Sequence, residues 1–272
     1  MARIAVIADI HGNFEAFGAV LGDIDKQKNI SRIYSLGDNV GYGPSPVQVL
    51  EKLEQRGIRS IIGNHEAALM GILNFEEIFS SENAIKATYW TIDELKNHNV
   101  DLEESPYFKK AGFAMMPSRL PHVGMTHSTL SKPELYEYVV RPEISETRKL
   151  AVREFDYMRR EKIPLVFFGH SHEALIVRAD YGVGTIGINI PNFKKGKRSY
   201  TFHPPEEEMW MVNVGAVGQP SDGDPRACYL VYDTKREIIT YYRIEYDVEK
   251  TADKIIKAGL PDVYAKRLRA GR

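Results

Sequence analysis

Apolar and polar positions in the first part of the chain repeat with two different periods, which predicts alternating strands and helices. Residues 3–8 form a β-branched run, and residues 13–25 carry apolar side chains at helical spacing. A second strand at 31–36, a second helix that begins after Ser45 and a third strand at 58–62 repeat the unit. This half therefore predicts an α/β sheet with crossover connections.

Later in the chain, strand-like runs separated by turn residues replace the alternation. They lie at 165–169, 174–179, 185–190, 199–203, 209–215, 227–233 and 237–246. These runs predict a second, largely antiparallel sheet.

Two further helices are predicted before these strands. One spans 144–160, and the other spans 82–98 with Ile85, Tyr89, Ile92 and Leu95 in one stripe. A stripe at helical spacing favours core packing over a cofactor site.

The composition is that of a globular protein and names no macromolecular partner. The chain has 272 residues, 43% hydrophobic and 27% charged, with a net charge of −1. No overall field would attract a nucleic acid or an anionic membrane. The one strongly charged segment, 192–208, favours a solvated hairpin over a phosphate-attracting flap.

The predicted location is the cytoplasm. Cys228 is the single cysteine, so an internal disulfide is excluded and a reducing compartment is favoured. The N-terminal segment reaches Asp9 before an apolar stretch could form a signal or a membrane span. We find no linker that marks a domain boundary, and we predict one domain over residues 1–272.

Residues that could bind metal ions follow one predicted strand after another. They occur in the fragments "ADIHGN", "LGDN", "IGNHEA", "MTHS" and "FGHSHEA", which contain Asp9, His11, Asp38, Asn64, His65, Glu66, His127, His170 and His172. Because the carboxyl ends of strands in an open α/β sheet line the ligand crevice, we expect these side chains to converge. The sequence therefore predicts a metal centre.

Local spacing supports this interpretation. Residues two apart on an extended segment point the same way, so Asp9 and His11, like His170 and His172, can present two ligand atoms to one volume. The glycines before Asp38, Asn64 and His170 fit tight turns beside the site. We prefer His127 to His122 as a ligand because His122 begins its strand, and we expect Glu66 to cap the helix that follows.

The same fragments resemble, in order, the five metal motifs of the calcineurin-like metallophosphoesterase superfamily. "GYGPSP", "NAIKATYWTIDEL" and "NVGAVGQPSDGDPRACYLVYD" are similar to small prokaryotic members related to its phosphodiesterases. The resemblance covers residues 3 to about 235. It implies a four-layer α/β/β/α sandwich of two mixed sheets with helices outside.

The resemblance also implies roles for the candidate residues. Asp9, His11 and His172 would hold one divalent ion, Asn64, His127 and His170 a second, and Asp38 would bridge both. His65 matches a histidine that assists catalysis without binding metal.

These ligands suit Mn, Fe, Zn or Ni and do not select among them. Two such ions can activate a bridging hydroxide for in-line attack on a phosphate ester.

Several functions remain open at this level. A phosphodiesterase is favoured, while a nucleotidase, a dinucleoside polyphosphate hydrolase and a protein phosphatase are alternatives, as is a scaffold that has lost catalysis. Nucleotides are thus candidate substrates, nucleic acid is not indicated, and the oligomeric state is not predicted.

The chain departs from the protein serine/threonine phosphatases and the symmetrical dinucleoside tetraphosphatases at Gly41 and Tyr42, where both groups of enzymes have a phosphate-binding arginine. Arg226 is the candidate replacement, because a guanidinium matches phosphate geometry.

Overall fold

Two six-stranded mixed sheets form the centre of the molecule. The computed structural model describes residues 3–105, 108–139, 145–180, 185–193, 197–205 and 207–272. Sheet A has the spatial order β3 (Arg59–Ser60), β2 (Ile30–Ser35), β1 (Arg3–Ile7), β11 (Ala227–Asp233), β12 (Ile238–Ile244), β9 (Ser199–Phe202). Sheet B has the order β4 (Ala114–Met115), β5 (Val123–Thr126), β6 (Leu165–Phe168), β10 (Met209–Val214), β7 (Ala174–Asp180), β8 (Thr185–Asn189).

Helices surround the sheets. In the described part of the chain they are α1 (Phe14–Ile24), α2 (Pro46–Gln55), α3 (Asn64–Leu69), α4 (Phe75–Ile78), α5 (Glu82–Asn97), α6 (Ser145–Glu161), α7 (Val248–Lys257) and α8 (Asp262–Ala270). A 3₁₀ turn spans Pro133–Leu135. No helix in these ranges is both long and apolar enough to cross a bilayer.

The period-2 pattern of the strands explains the layers. In β1, Ile4 and Val6 pack into the core between the sheets, while Ala5 and Ile7 pack against α1 and α2. In β6, the alternate residues Val166 and Phe168 pack with residues of α6 on the outer face of sheet B. The predicted α/β/β/α sandwich is confirmed.

The division of strands between the sheets differs from the prediction. β9, β11 and β12 do not join a separate sheet but complete sheet A, where β11 pairs antiparallel with β1 and Arg3 lies opposite Asp233. A strand's period indicates which faces are buried but carries no information about its pairing partner. For this reason, the hydrophobic pattern alone led to the incorrect prediction that all these strands belong to one sheet.

Helix α5 also differs from its predicted packing. The helix is present, but its buried face consists of Ala84, Ala87, Thr88, Thr91 and Leu95. Of the predicted stripe only Leu95 is buried, and the ring of Tyr89 is exposed against Phe75. Small residues let this face of the helix approach its neighbours closely, and Ile85 and Ile92 lie at its partly buried margins.

Two predicted segments lie partly outside the described residues. Ile144, the predicted start of α6, is one of them, and the described helix begins at Ser145. In the charged segment 192–208, residues 194–196 and 206 lie outside the description. The described part contains β9, which pairs with β12.

Parallel strands of both sheets end at the same edge of the sandwich. β1, β2 and β3 run parallel in sheet A, as do β5, β6 and β10 in sheet B. Backbone hydrogen bonds tie the following loops together, from Asp9 N–H to the Gly37 carbonyl (3.1 Å) and from Gly169 N–H to the His127 carbonyl (2.9 Å). The candidate metal ligands are in these loops.

Candidate metal centre

The structure brings two overlapping groups of ligand atoms together at this edge. One consists of Asp9, His11, Asp38 and His172, and the other of Asp38, His127 and His170. Within each group the potential ligand atoms lie within 4.8 Å of one another, and every residue is buried. Asp38 belongs to both groups, so one carboxylate lies between two possible ion positions.

Asn64 joins the second group through its contact with His127. The Nε2 atom of His127 lies 3.0 Å from Asn64 Oδ1 and 3.1 Å from Asp38 Oδ2. His122, the alternative to His127, is exposed. The serine between the two imidazoles that follow β6 faces away from them, since Ser171 Oγ accepts a hydrogen bond from Asn213 Nδ2.

Most of these residues adopt a backbone conformation that the sequence does not indicate. φ is positive at Asp9 (55°), His11 (47°), Asp38 (52°), His170 (68°) and His172 (61°). Left-handed conformations are unfavourable for residues with a Cβ and concentrate at functional sites. The sequence predicts sharp turns at the neighbouring glycines. In the structure, five of the candidate ligands themselves adopt the left-handed conformation.

Backbone carbonyls fix the orientation of two imidazoles. His11 Nδ1 lies 3.1 Å from the Val40 carbonyl, and His127 Nδ1 lies 2.7 Å from the Leu36 carbonyl. Because a carbonyl only accepts, each Nδ1 carries the proton and donates it. Whenever such a ring is neutral, its Nε2 lone pair points into the site, which is the usual arrangement of histidines that bind metal.

The ring nitrogens at the centre of the cluster are close enough together to share a cation. His11 Nε2 and His172 Nε2 are 2.9 Å apart, a distance that a hydrogen bond from the Nε2 tautomer of His172 can span without metal. His170 Nε2 is buried with no hydrogen-bond partner in the described structure, and a buried unpaired nitrogen is unfavourable. The donor set of imidazoles, carboxylates and one amide therefore fits divalent metal ions, and the cluster can bind them.

The electrostatics of the cluster are dominated by burial and by Asp38. Burial lowers the pKa of His11 and His170 well below the usual value and that of His172 to about 3, so these rings are neutral. Burial opposes the charged form of His127 as well, but the Asp38 carboxylate outweighs it and raises the pKa of His127 to about 9. Without metal, a proton on His127 partly compensates the buried Asp38.

His65 lies beside the cluster inside an aromatic cage. Its ring centroid is 4.9 Å from that of His11, 4.4 Å from Tyr42 and 4.8 Å from Phe79. The residue is 3% exposed, and burial lowers its pKa although Asp38 opposes this. The structure thus holds a neutral imidazole next to the predicted ligands.

Glu66 does more than the predicted helix cap. Its carboxylate accepts the Gly63 N–H (2.9 Å) at the start of α3, and also the N–H groups of Asp38 (2.8 Å) and Asn39 (2.7 Å). Burial and the Asp38 charge raise the pKa of Glu66 to about 7, although these donors oppose the shift. Glu66 therefore fixes the backbone turn that carries Asp38.

Arg226 is held by an acid. Its Nε lies 2.9 Å from Asp224 Oδ1, and its Nη1 donates to the Lys197 carbonyl (3.1 Å). Among the described residues, none of its contacts involves a candidate metal ligand. The guanidinium of Arg226, which the sequence analysis predicts to bind substrate, is thus largely neutralised by Asp224 in the same turn.

Aromatic residues around the site are not among the functional candidates that the sequence indicates. Tyr42 packs between His11 and His65, and Tyr138 stacks on His170 with ring centroids 4.0 Å apart. Tyr42 lies in the motif "GDNVGYG", and its place in a segment where the phosphatases have an arginine could have marked it as a functional candidate. Tyr138 lies in an irregular segment with no such pattern.

A sandwich of two sheets carries buried His and Asp side chains at the shared strand ends, an arrangement that can bind metal ions. Comparison with known proteins identifies the family: the calcineurin-like phosphoesterase model matches residues 2–174, and the chain belongs to this family of metal-dependent phosphoester hydrolases. An uncharacterized protein of Methanocaldococcus jannaschii is 32% identical over 279 residues, covering 100% of this chain and 99% of that protein.

Solved structures agree with this assignment. A metallophosphoesterase from Sphaerobacter thermophilus is 31% identical with a TM-score of 0.78, covering 100% of this chain and 99% of its own. A hypothetical protein from Pyrococcus horikoshii OT3 covers the same shares with a TM-score of 0.73 and 17% identity. The second similarity supports the fold alone.

Proposed function

We propose that the protein is a two-metal phosphodiesterase. Asp9, His11 and His172 hold one divalent ion, Asn64, His127 and His170 hold the second, and Asp38 contacts both. His65 is the catalytic residue. Mn²⁺ is the first ion to test, with Fe, Zn and Ni as alternatives for the same donor set. The cytoplasm remains the predicted location.

One observation carries this proposal. The Nε2 atoms of His11 and His172 face each other at 2.9 Å, while the Nδ1 proton of His11 is committed to a backbone carbonyl. A similar backbone bond turns His127 Nε2 towards Asp38 and Asn64. Side chains fixed in this way are preorganised for cations. When bound, two divalent ions activate a water and neutralise charge on the phosphate.

His65 supplies the proton for the leaving group. Burial keeps its imidazole neutral before substrate binds, as the lowered pKa indicates. A bound phosphate adds negative charge nearby, which raises the pKa of His65, whereas the two bound ions lower it. Contacts with Tyr42 and Phe79 hold the ring in place, so that it can pass a proton to the leaving group.

Tyr42 favours diesters over monoesters. Its ring contacts His11 and His65 at the point where the phosphatases have an arginine. A monoester carries about −1.5 to −2 charge near neutral pH, whereas a diester carries about −1. A site with an aromatic ring in place of a cation compensates the smaller charge better.

The test compares two esters on one protein. Metal-stripped protein is re-supplied with Mn²⁺ and assayed with bis-p-nitrophenyl phosphate and p-nitrophenyl phosphate. We expect metal-dependent turnover, a larger kcat/KM for the diester, and a loss of about 10²- to 10⁴-fold in His65→Ala. His122→Ala, which changes an exposed histidine, is the matched control.

Two results would contradict the proposal. A larger kcat/KM for the monoester overturns the diesterase assignment and favours a phosphatase. No turnover of either ester, from protein that binds two ions, favours a non-catalytic scaffold.

A second candidate is hydrolysis of nucleotide esters or dinucleoside polyphosphates. Tyr138 favours it, because 58% of this residue is exposed while its ring stacks on His170. An exposed ring at the site can stack on a nucleobase, which contributes about 1–3 kcal/mol per base. Tyr138→Ala should then raise KM for nucleotide substrates and leave KM for dimethyl phosphate unchanged. Equal effects on both would contradict a base-stacking role.

A further inference from the structure

Helix α8 is attached at both of its ends to segments that contact the metal centre. Near its start, the Tyr264 ring lies 4.7 Å from that of Tyr42, which contacts His11 and His65. Past its last turn, the Gly271 carbonyl accepts the N–H of Gly223 at 2.8 Å. The helix therefore lies along the rim of the site.

The loop that receives the end of α8 also touches a candidate ligand. Two residues before Gly223, the N–H of Ser221 donates to the His172 carbonyl at 3.1 Å. The C-terminal half of α8 is thus close to the His172 side of the cluster.

Arg267 lies between these two attachment points. It follows Tyr264 by three residues, so both side chains lie on the same face of α8. Its side chain is half-buried, and its Nε donates to the Arg272 carbonyl at 2.8 Å. Among the described residues, no Asp or Glu pairs with Arg267 and none accepts from its two terminal nitrogens.

Other arginines nearby are engaged differently. Arg226 pairs with Asp224, and Arg269 on the same helix pairs with Glu249 of α7. Arg267 is the arginine of α8 whose terminal nitrogens remain available in the described structure. These two terminal nitrogens are therefore able to bind an external anion.

We propose that Arg267 binds the phosphate of the substrate, entering the site from the His172 side. The inference rests on the proposed phosphoesterase function and names the cation that takes the place of the phosphatase arginine. The free end of a guanidinium presents two N–H groups in a plane, which matches two phosphate oxygens.

The experiment compares two arginines of the same helix. Arg267→Gln, Arg267→Lys and Arg269→Gln are made in the full chain, loaded with Mn²⁺ and assayed with bis-p-nitrophenyl phosphate. We expect Arg267→Gln to reduce kcat/KM about 10- to 100-fold. Arg267→Lys should recover part of this loss, because it keeps the charge without the fork. Arg269→Gln should stay within about twofold of the wild type.

Binding of inorganic phosphate separates this inference from the proposed function. Calorimetry on the Mn-loaded proteins should show a weakening of phosphate binding in Arg267→Gln similar to the loss in kcat/KM, with unchanged metal content. If the wild type hydrolyses no ester, the proposed function fails, but this measurement still tests Arg267.

Equal phosphate affinity in Arg267→Gln and Arg269→Gln overturns the inference. Equal losses in both variants overturn it as well, because they would reflect net charge alone. If Arg267→Gln does not fold, Arg267→Lys provides the test. A wild-type phosphate affinity and kcat/KM in that variant would contradict bidentate recognition of phosphate by the guanidinium.

Discussion

Gly41 leaves room for the imidazole of His65: a Cβ on Gly41 would overlap the His65 ring at Nδ1. Gly41 also has φ +85°, a conformation that other residues rarely adopt. The position of the proposed catalytic histidine thus depends on a missing side chain in the loop after Asp38.

Gly41→Ala should therefore displace His65 and reduce kcat more than it reduces stability. The left-handed backbone costs about 1–2 kcal/mol, while the displaced ring loses its place beside the substrate. We expect kcat for a diester to fall at least tenfold with metal content unchanged. Steady-state kinetics and metal analysis on the same sample would check this.

Gly71→Ala is the matched control. Gly71 has φ +68°, but no atom lies within 4 Å of the place that a Cβ would occupy, so the substitution carries the backbone cost without the overlap. Equal loss of kcat in the two variants would show that backbone strain, and not displacement of His65, causes the loss.

Metal stoichiometry tests the division of ligands between the two groups. His172 belongs to the group with Asp9 and His11, and His170 to the group with His127. His172→Asn and His170→Asn should each reduce bound Mn²⁺ from about two ions per chain to about one. Asp38→Asn should weaken both positions, because its carboxylate is common to both groups.

The control for this series is His122→Asn, which changes an exposed histidine. Elemental analysis after dialysis would give the ion count of each variant. The two-group assignment is wrong if His170→Asn and His172→Asn each lose both ions while their far-UV spectra stay intact.

The candidate ligands could be located from the sequence because each fragment follows its own strand. Asp9, Asp38 and His170 are recognisable from a few adjacent residues, and the parallel arrangement brings such strand ends to one edge. The structure brings all seven predicted ligands together. Their positive φ values, by contrast, arise from contacts between loops that are distant in sequence.

Long-range features could not be predicted in the same way. The pairing of β11 with β1 joins residues more than 200 positions apart, and no local pattern indicates it. The position of Arg267 depends on the contacts of α8 with Tyr42 and Gly223. Helix α7, by contrast, has a local signal that could have predicted it, namely Asp247 as N-cap before apolar residues at helical spacing.

Metal binding should release protons near neutral pH. His127 has a pKa raised to about 9 in the metal-free fold, so it is protonated near neutral pH, whereas a ligand imidazole must be neutral. His11, His170 and His172 have lowered pKa values and contribute no proton. We expect release of at least one proton per chain, and tighter Mn²⁺ binding as the pH rises towards the pKa of His127.

Calorimetric titrations in two buffers of different ionisation enthalpy would measure this release. His127→Asn should lower the number of released protons by about one. An identical binding enthalpy in both buffers would show that no proton leaves, and that His127 is already neutral in the metal-free protein.

Glu66→Gln should weaken both the fold and metal binding. The amide keeps one acceptor oxygen, but its NH₂ group then faces backbone donors that the carboxylate had satisfied at Asp38, Asn39 or Gly63. Each buried donor left without a partner costs about 1–3 kcal/mol, so we expect a loss of about 2–4 kcal/mol in urea unfolding. Because the affected turn carries Asp38, Mn²⁺ affinity should fall as well.

Glu154→Gln is the comparison that separates these two effects. Glu154 is also buried and accepts the backbone N–H groups of Leu130 (2.8 Å) and Ser131 (3.0 Å), away from the Asp38 turn. It should lose similar stability with little change in Mn²⁺ affinity. If both variants lose the same metal affinity, the effect comes from general destabilisation, and Glu66 has no specific part in placing Asp38.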